Sequence, residues 1–184
     1  MKREIIQKSF ANEEEYFEFE ERSELKHELY NGNLIKMSGV SINHNEITLN
    51  IAILLKQLLK GTTFKVFVES VKVKTPLGNF FYPDIMVCHP NPKKYYSTEP
   101  ILLIEVLSAS TRKFDLVDKF IQYQKIQTLE YYLCVEPEKQ VIYFYKKVGI
   151  NEWQEMKALT HENDKVNLDK LGISFSLKDV YEPE

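Results

Sequence analysis

The chain contains two cysteines in 184 residues, and neither stands in a metal-binding or redox spacing. Cys88 and Cys134 each lie in an apolar, strand-like run with no CxxC pair or Cys/His partner, which argues against a zinc site and a disulfide framework and leaves two buried, reduced thiols. No apolar run approaches the length that crosses a bilayer, and the opening Met-Lys-Arg-Glu, followed by a polar, glutamate-rich stretch, lacks the apolar core of a secretory signal. The expectation is a soluble, cytoplasmic protein with no membrane partner. Positive charge is also in short supply. The 24 lysines and arginines against 27 aspartates and glutamates give a net charge of -3, which weighs against binding nucleic acid by bulk electrostatics. There is no internal repeat, no low-complexity tract and no helix-turn-helix.

What charge there is falls unevenly. Glu13, Glu14, Glu15, Glu18, Glu20, Glu21 and Glu24 crowd the N-terminal part, whereas Lys56, Lys60, Lys65, Lys72, Lys74, Lys93, Lys94, Arg112, Lys113, Lys119 and Lys125 spread through the middle. That asymmetry leaves room for a locally basic face, and an ordinary solvated mixture of charges explains it equally well. With 43% hydrophobic and 28% charged residues, the chain supports one well-buried core, so residues 1–184 read as a single domain.

The Glu-rich segment from Asn12 to Glu24, with Tyr16, Phe17 and Phe19, predicts a short amphipathic helix. Asn31-Gly32 between His27–Tyr30 and Leu34–Ser38 predicts a tight hairpin, because that dipeptide tolerates positive backbone angles. Ile47, Ile51, Leu54, Leu55 and Leu58 recur at helical spacing over Ile42–Lys60, with Gly61 as a stop. Phe64–Val68, Val71–Lys74 and Phe80–Val87 read as strands, the last two joined by a turn, and His89–Pro100 as a loop. Ile101–Leu107 is almost continuously aliphatic and predicts a mid-sheet strand covered on both faces. Ser108, Ser110 and Thr111 can cap a helix running to Gln127 with Phe114, Val117, Phe120 and Ile121 as its core stripe. Glu130–Val135, Gln140–Lys146 and Trp153–Leu159 predict further strands, and Leu177–Tyr181 a helical turn. The fold class is therefore α/β, a mixed central sheet flanked by helices, with an N-terminal helix and β-hairpin.

Chemistry concentrates between Tyr82 and Lys119. Glu105 interrupts the aliphatic strand, and burying a carboxylate there as an anion is expensive unless a cation or strong hydrogen bonds meet it. Asp84 can stand beside Glu105 if their strands are neighbours, and two carboxylates that close need a cation between them. Mg²⁺ fits, with Mn²⁺ as a substitute, because it takes hard oxygen ligands and few protein carboxylates; the Val106 backbone carbonyl can add a third ligand. Asp115, Lys119 and Gln122 share a face of the following helix, so the Lys119 ammonium can point back at the strand ends and stabilise developing phosphoryl charge. Such a metal-and-lysine arrangement hydrolyses phosphodiesters.

The combined pattern, Tyr82-Pro83-Asp84-Ile85-Met86-Val87, then Ile104-Glu105-Val106-Leu107-Ser108 with Ser110-Thr111, Asp115, Lys119 and Tyr123, resembles the cyanobacteria-abundant "putative restriction endonuclease" family of the PD-(D/E)XK superfamily. The likeness extends upstream to Glu28-Leu29-Tyr30-Asn31-Gly32 and to His44, covering Lys26 to Lys146. It implies a restriction-endonuclease-like core, DNA as the partner, endonuclease activity, Asp84 and Glu105 as metal ligands and Lys119 as the catalytic lysine. Leu107 stands where the superfamily's usual lysine falls, and Lys119 matches a lysine moved onto the helix. Glu28 is either a further metal carboxylate or a solvent-facing glutamate. His44 either contacts phosphate or makes a local hydrogen bond. A catalytically silent nucleic-acid-binding or assembly domain, and a hydrolase of small phosphate esters, are the rival readings. Cutting both strands of a duplex would suit a two-fold homodimer.

Overall fold

The structure is a computed structural model and describes residues 5–90, 95–150, 152–155 and 158–182. Asn12 caps the first helix, its side chain accepting from the Glu15 N–H, and α1 runs over Glu13–Arg22. The short strand β1 (Ile5–Gln7) precedes it, and the hairpin β2 (His27–Tyr30) and β3 (Asn33–Lys36) follows. Asn31 and Gly32 both have positive φ, at 49° and 76°, as a two-residue turn between antiparallel strands requires. Ser41 caps the long helix α2 (Ile42–Leu58) by accepting from the His44 N–H.

Next come β4 (Lys65–Val68), β5 (Lys72–Lys74), β6 (Phe80–Phe81), β7 (Ile85–Cys88), β8 (Tyr96–Ser97) and β9 (Pro100–Val106). A π-helical stretch, Phe114–Lys119, runs directly into α3 (Phe120–Tyr123) and leads to β10 (Tyr131–Glu136), β11 (Val141–Gly149) and β12 (Glu152–Glu155). The hairpin β13 (Lys165–Leu168) and β14 (Ile173–Ser176) and the short helix α4 (Leu177–Tyr181) complete the described chain.

The larger sheet has the order β12-β11-β10-β9-β7-β4, with β9 and β10 parallel and the rest antiparallel. The parallel pair demands a crossover, and the helix between β9 and β10 supplies it. One face of this sheet packs Ile85, Val87, Leu102 and Ile104 against Ile47, Ile51 and Leu55 of α2. The other packs Met86, Leu103, Tyr132 and Cys134 under Phe114, Tyr123 and Ile126 of the crossover. Both cysteines are buried, and burial pushes both thiols up. The smaller sheet, β1-β3-β2-β6-β5-β8, carries α1. Lys72 ties the two: its ammonium donates to Tyr16 Oη at 2.6 Å and Glu20 Oε2 at 2.7 Å, and the Tyr82 hydroxyl donates to the same glutamate oxygen at 3.3 Å.

The mixed α/β architecture with its N-terminal helix and hairpin matches the sequence expectation, with two local corrections. Phe80–Val87 is two strands in different sheets, because the chain leaves the smaller sheet after Phe81 and enters the larger one at Ile85 through Tyr82-Pro83-Asp84. Proline lacks the N–H that a continuous ladder needs. The crossover helix is also turned differently. Val117 and Ile121, placed in the core by helical spacing, are 44% and 49% exposed, while Asp115, Lys119 and Gln122 face inward. The wide π turn changes the phase of the helix, and Tyr132 Oη donates to the Asp115 carbonyl at 2.8 Å within it. The β13–β14 hairpin and β1 were not foreseen. The loop expected over His89–Pro100 contains β8, and its residues 91–94 lie outside the described part, as do residues 156–157 of the strand expected over Trp153–Leu159.

Two substitutions separate these pictures. Ile104→Ala, which hollows the larger core, should lower stability by about 2–5 kcal/mol, whereas Ile121→Ala should change it by less than about 0.5 kcal/mol. Urea unfolding followed by circular dichroism measures both; comparable losses at the two sites would contradict the observed helix orientation.

Candidate active site

The site forms where β9 ends. Asp84 immediately precedes β7 and Glu105 is the penultimate residue of β9; the antiparallel register pairs Ile85 with Ile104, which brings Asp84 level with Glu105. Strand alternation sends Glu105 to the face covered by the crossover helix, alongside Leu103 and Leu107. There the Lys119 ammonium lies 3.0 Å from Glu105 Oε1, 2.8 Å from Glu28 Oε1 and 3.4 Å from Asp115 Oδ1. Tyr123 Oη donates to the same Glu105 oxygen at 2.9 Å. Glu28 reaches in from β2 and is steadied by the Tyr82 N–H, 3.0 Å from its Oε1. Glu105 and Lys119 are 3% and 4% exposed.

Asp84 is held differently. Its Oδ2 accepts the Val106 N–H at 2.6 Å and lies 3.3 Å from His44 Nε2. His44 occupies the first turn of α2, fixed by the Ser41 cap and by Thr48, whose hydroxyl donates to the His44 carbonyl at 2.8 Å. Glu69 approaches from the end of β4, its N–H donating to the Asp84 carbonyl at 3.1 Å. Glu69 has φ of 49°, an uncommon conformation for a residue with a Cβ and one that the surrounding structure must sustain.

Burial drives the Glu105 carboxyl well above the usual range; Lys119 opposes this, and the charges of Asp115, Asp84 and Glu28 add to it. Burial acts against the Lys119 ammonium, yet Glu105, Glu28 and Asp115 outweigh it and keep the lysine charged. Burial also opposes protonation of His44, and the hydrogen bond and charge of Asp84 prevail, helped by Glu69 and the Val106 carbonyl, so its pKa rises. Glu28, Asp84, Glu105 and Asp115 thus surround one ammonium and one imidazole. Such a pocket gains from one more positive charge, whether a proton on Glu105 or a bound cation.

A donor set for that cation exists. One atom each from His44, Glu69 and Asp84 lie within 4.8 Å of one another, a spacing compatible with shared coordination of one ion by an imidazole nitrogen and two carboxylate oxygens. The set overlaps the sequence-based expectation at Asp84, adds His44 and Glu69, and leaves Glu105 engaged by Lys119 and Tyr123. The Val106 carbonyl faces His44. Gln122 is turned away, accepting from Asn79 Nδ2 at 2.7 Å. Sequence reading missed Glu69, because Val68-Glu69-Ser70 looks like an ordinary turn.

Above these groups opens a cavity of about 690 Å³. Ser38 and Ser41 line one wall, Ser108 and Thr111 another. Arg112 stands at the rim with its Nη2 2.7 Å from Glu136 Oε1. Of the lysines that the sequence offered for a basic face, Lys72 and Lys119 are buried in ion pairs and Lys74 pairs with Glu13, while Lys93 and Lys94 lie outside the described residues.

Lys119 is therefore structural as well as central. Lys119→Met should cost about 3–5 kcal/mol in the metal-free protein, because three buried carboxylates lose their common cation. Adding Glu105→Gln should recover part of that loss by removing one uncompensated anion. Urea unfolding of the two single variants and the double variant checks this, and strictly additive losses would show that the two groups do not interact.

Comparison with known proteins bears on this geometry. A model of the Uma2 family, described as "Putative restriction endonuclease", matches residues 13–178. Two uncharacterized proteins of Synechocystis are similar along most of their length. One, sll1609, is 32% identical over 165 residues, covering 86% of this chain and 93% of its own. The other, slr1290, is 31% identical over 172 residues, covering 91% and 90%. A crystal structure from Anabaena variabilis, described as "a putative nuclease", superposes with a TM-score of 0.74 over 91% of this chain and 96% of that one, at 15% identity, a likeness of fold.

Proposed function

The chain belongs to the Uma2 family, and from that premise we propose that it is a divalent-metal-dependent nuclease that hydrolyses phosphodiester bonds of DNA in the cleft at the end of β9. One observation carries the reading: Glu28, Asp84, Glu105 and Asp115 gather around Lys119 and His44 at the base of a cavity large enough to admit a piece of a polynucleotide strand. A scaffold with no use for a cation gains little from so many carboxylates in one buried place.

His44, Glu69 and Asp84 would hold the metal, with Glu105 as the adjacent carboxylate. Their mixed nitrogen and oxygen donors suit Mn²⁺ at least as well as Mg²⁺. Bound there, such an ion neutralises phosphate charge and lowers the pKa of a coordinated water. The remaining work belongs to the chain. The Val106 N–H and His44 fix the Asp84 carboxylate in one orientation. Glu105, raised in pKa by burial, is suited to accept the proton of an attacking water. Lys119 is positioned to meet charge developing on the phosphoryl oxygens. Tyr123 holds Glu105 in place through its hydroxyl, and the hydroxyls of Ser38, Ser41, Ser108 and Thr111 offer donors to a phosphate backbone.

A second reading rests on Lys119 itself. Its ammonium already meets three carboxylates, as in an ion-pair network that holds a fold without catalysing anything. That describes the silent nucleic-acid-binding domain.

Incubation of plasmid, duplex and single-stranded DNA with the protein and Mn²⁺ or Mg²⁺ decides between them. Under the first reading cleavage occurs, stops with chelator, and falls by about 10²-fold or more in Asp84→Asn. Calorimetry should show Mn²⁺ binding by the wild type that weakens strongly in Asp84→Asn and His44→Gln. DNA binding with neither cleavage nor Mn²⁺ binding would establish the silent domain.

A further inference from the structure

Helix α2 uses only one of its faces within the fold. His44, Ile47, Thr48, Ile51, Ala52 and Leu55 are buried, and the opposite face carries Ile42, Glu46, Leu49, Ile53 and Lys56, with Lys60 in the turn just past the helix end, all exposed. Ile42 is 85% exposed, Leu49 55% and Ile53 47%, and no other described element covers this stripe. The five helical positions alternate spacings of four and three residues, the seam by which two helices interlock side chains.

The seam is self-complementary. Reversing its direction about Ile51 carries Leu49 onto Ile53 and Glu46 onto Lys56. A second copy of α2 laid antiparallel therefore places Leu49 against Ile53 in two central layers, and Glu46 against Lys56 in the layers that flank them. Two-fold symmetry makes each contact twice. Set parallel and in register, the same seam would oppose Glu46 to Glu46 and Lys56 to Lys56, which like-charge repulsion disfavours. An ordinary solvated helix face needs neither the apolar centre nor charges of opposite sign at matching distances on either side of it.

We propose that the exposed face of α2 is the interface of a two-fold homodimer in which the two α2 helices pack antiparallel about Ile51. The helical seam from Ile42 to Lys56 spans about 21 Å at helical rise. That is a small interface, as in a reversible dimer. His44 lies on the opposite face of α2 toward its N-terminus, so the two clefts sit at opposite ends of the shared seam, with the His44 positions about 21 Å apart along the helix axis. The inference does not rest on the nuclease reading and stands or falls without it.

Sedimentation velocity across the micromolar range tests it on the whole chain, with circular dichroism melts to verify that each variant folds. The wild type should shift from monomer to dimer with concentration. Glu46→Lys alone and Lys56→Glu alone should each weaken the dimer about tenfold or more by placing like charges opposite each other twice, and Leu49→Lys should do the same through the apolar centre. The double variant Glu46→Lys with Lys56→Glu should regain wild-type association, because the pairing is restored with its signs exchanged. A wild type that stays monomeric at the highest concentration, single variants that dimerise as well as the wild type, or a double variant as dissociated as the single ones would each overturn the proposal.

Discussion

The Lys119 ammonium is the point where distant parts of the chain meet. Glu28 belongs to the smaller sheet, Glu105 to the middle of the larger one, and Asp115 to the same crossover helix as Lys119. None of these carboxylates tolerates burial alone, and a single cation within ion-pair reach of all three joins sheet, sheet and helix at one place. The inverted orientation of the crossover helix follows. Its polar face must turn inward to deliver Lys119, so Val117 and Ile121 are left outside and apolar anchoring passes to Phe114, Tyr123 and Ile126.

Around that point the structure separates two kinds of carboxylate. Glu28, Glu105 and Asp115 face a fixed protein cation, whereas Asp84 faces a backbone N–H, a histidine and a second carboxylate, that of Glu69. The first group shares one internal cation among three carboxylates. The second has a net need for positive charge and an arrangement of donors that can satisfy it. The Tyr82-Pro83-Asp84 connection links the two, since the Tyr82 N–H steadies Glu28 while Asp84 receives the Val106 N–H. A break between strands that looks like a defect in the ladder is the element that lets one segment serve both groups.

Much of this was legible in the chain. Asn31-Gly32 specified its turn because few residues accept positive φ, and the aliphatic run ending in Glu105 announced a strand covered on both faces because only such a strand has no polar side to show. Asp84, Glu105 and Lys119 stood out because a carboxylate in an aliphatic strand requires a partner. Glu69 did not stand out, since nothing in Val68-Glu69-Ser70 tells that the backbone there is held in a left-handed conformation beside Asp84. Val117 and Ile121 stand outside, because the ordinary helical period does not hold through the wide turn there.

The amino-acid sequence by itself determined most of the local elements, the mid-sheet strand and the need of Glu105 for a buried partner, because propensity, side-chain alternation and the cost of burying a charge act over a few neighbouring residues. Only the tertiary structure decided which carboxylate faces Lys119 and which faces His44, that Glu69 joins Asp84, and that Gln122 turns to Asn79 instead. Those outcomes depend on strand order, on the break between the two sheets and on the phase of a π turn. They are set by contacts between residues far apart in the chain, and no local pattern encodes them.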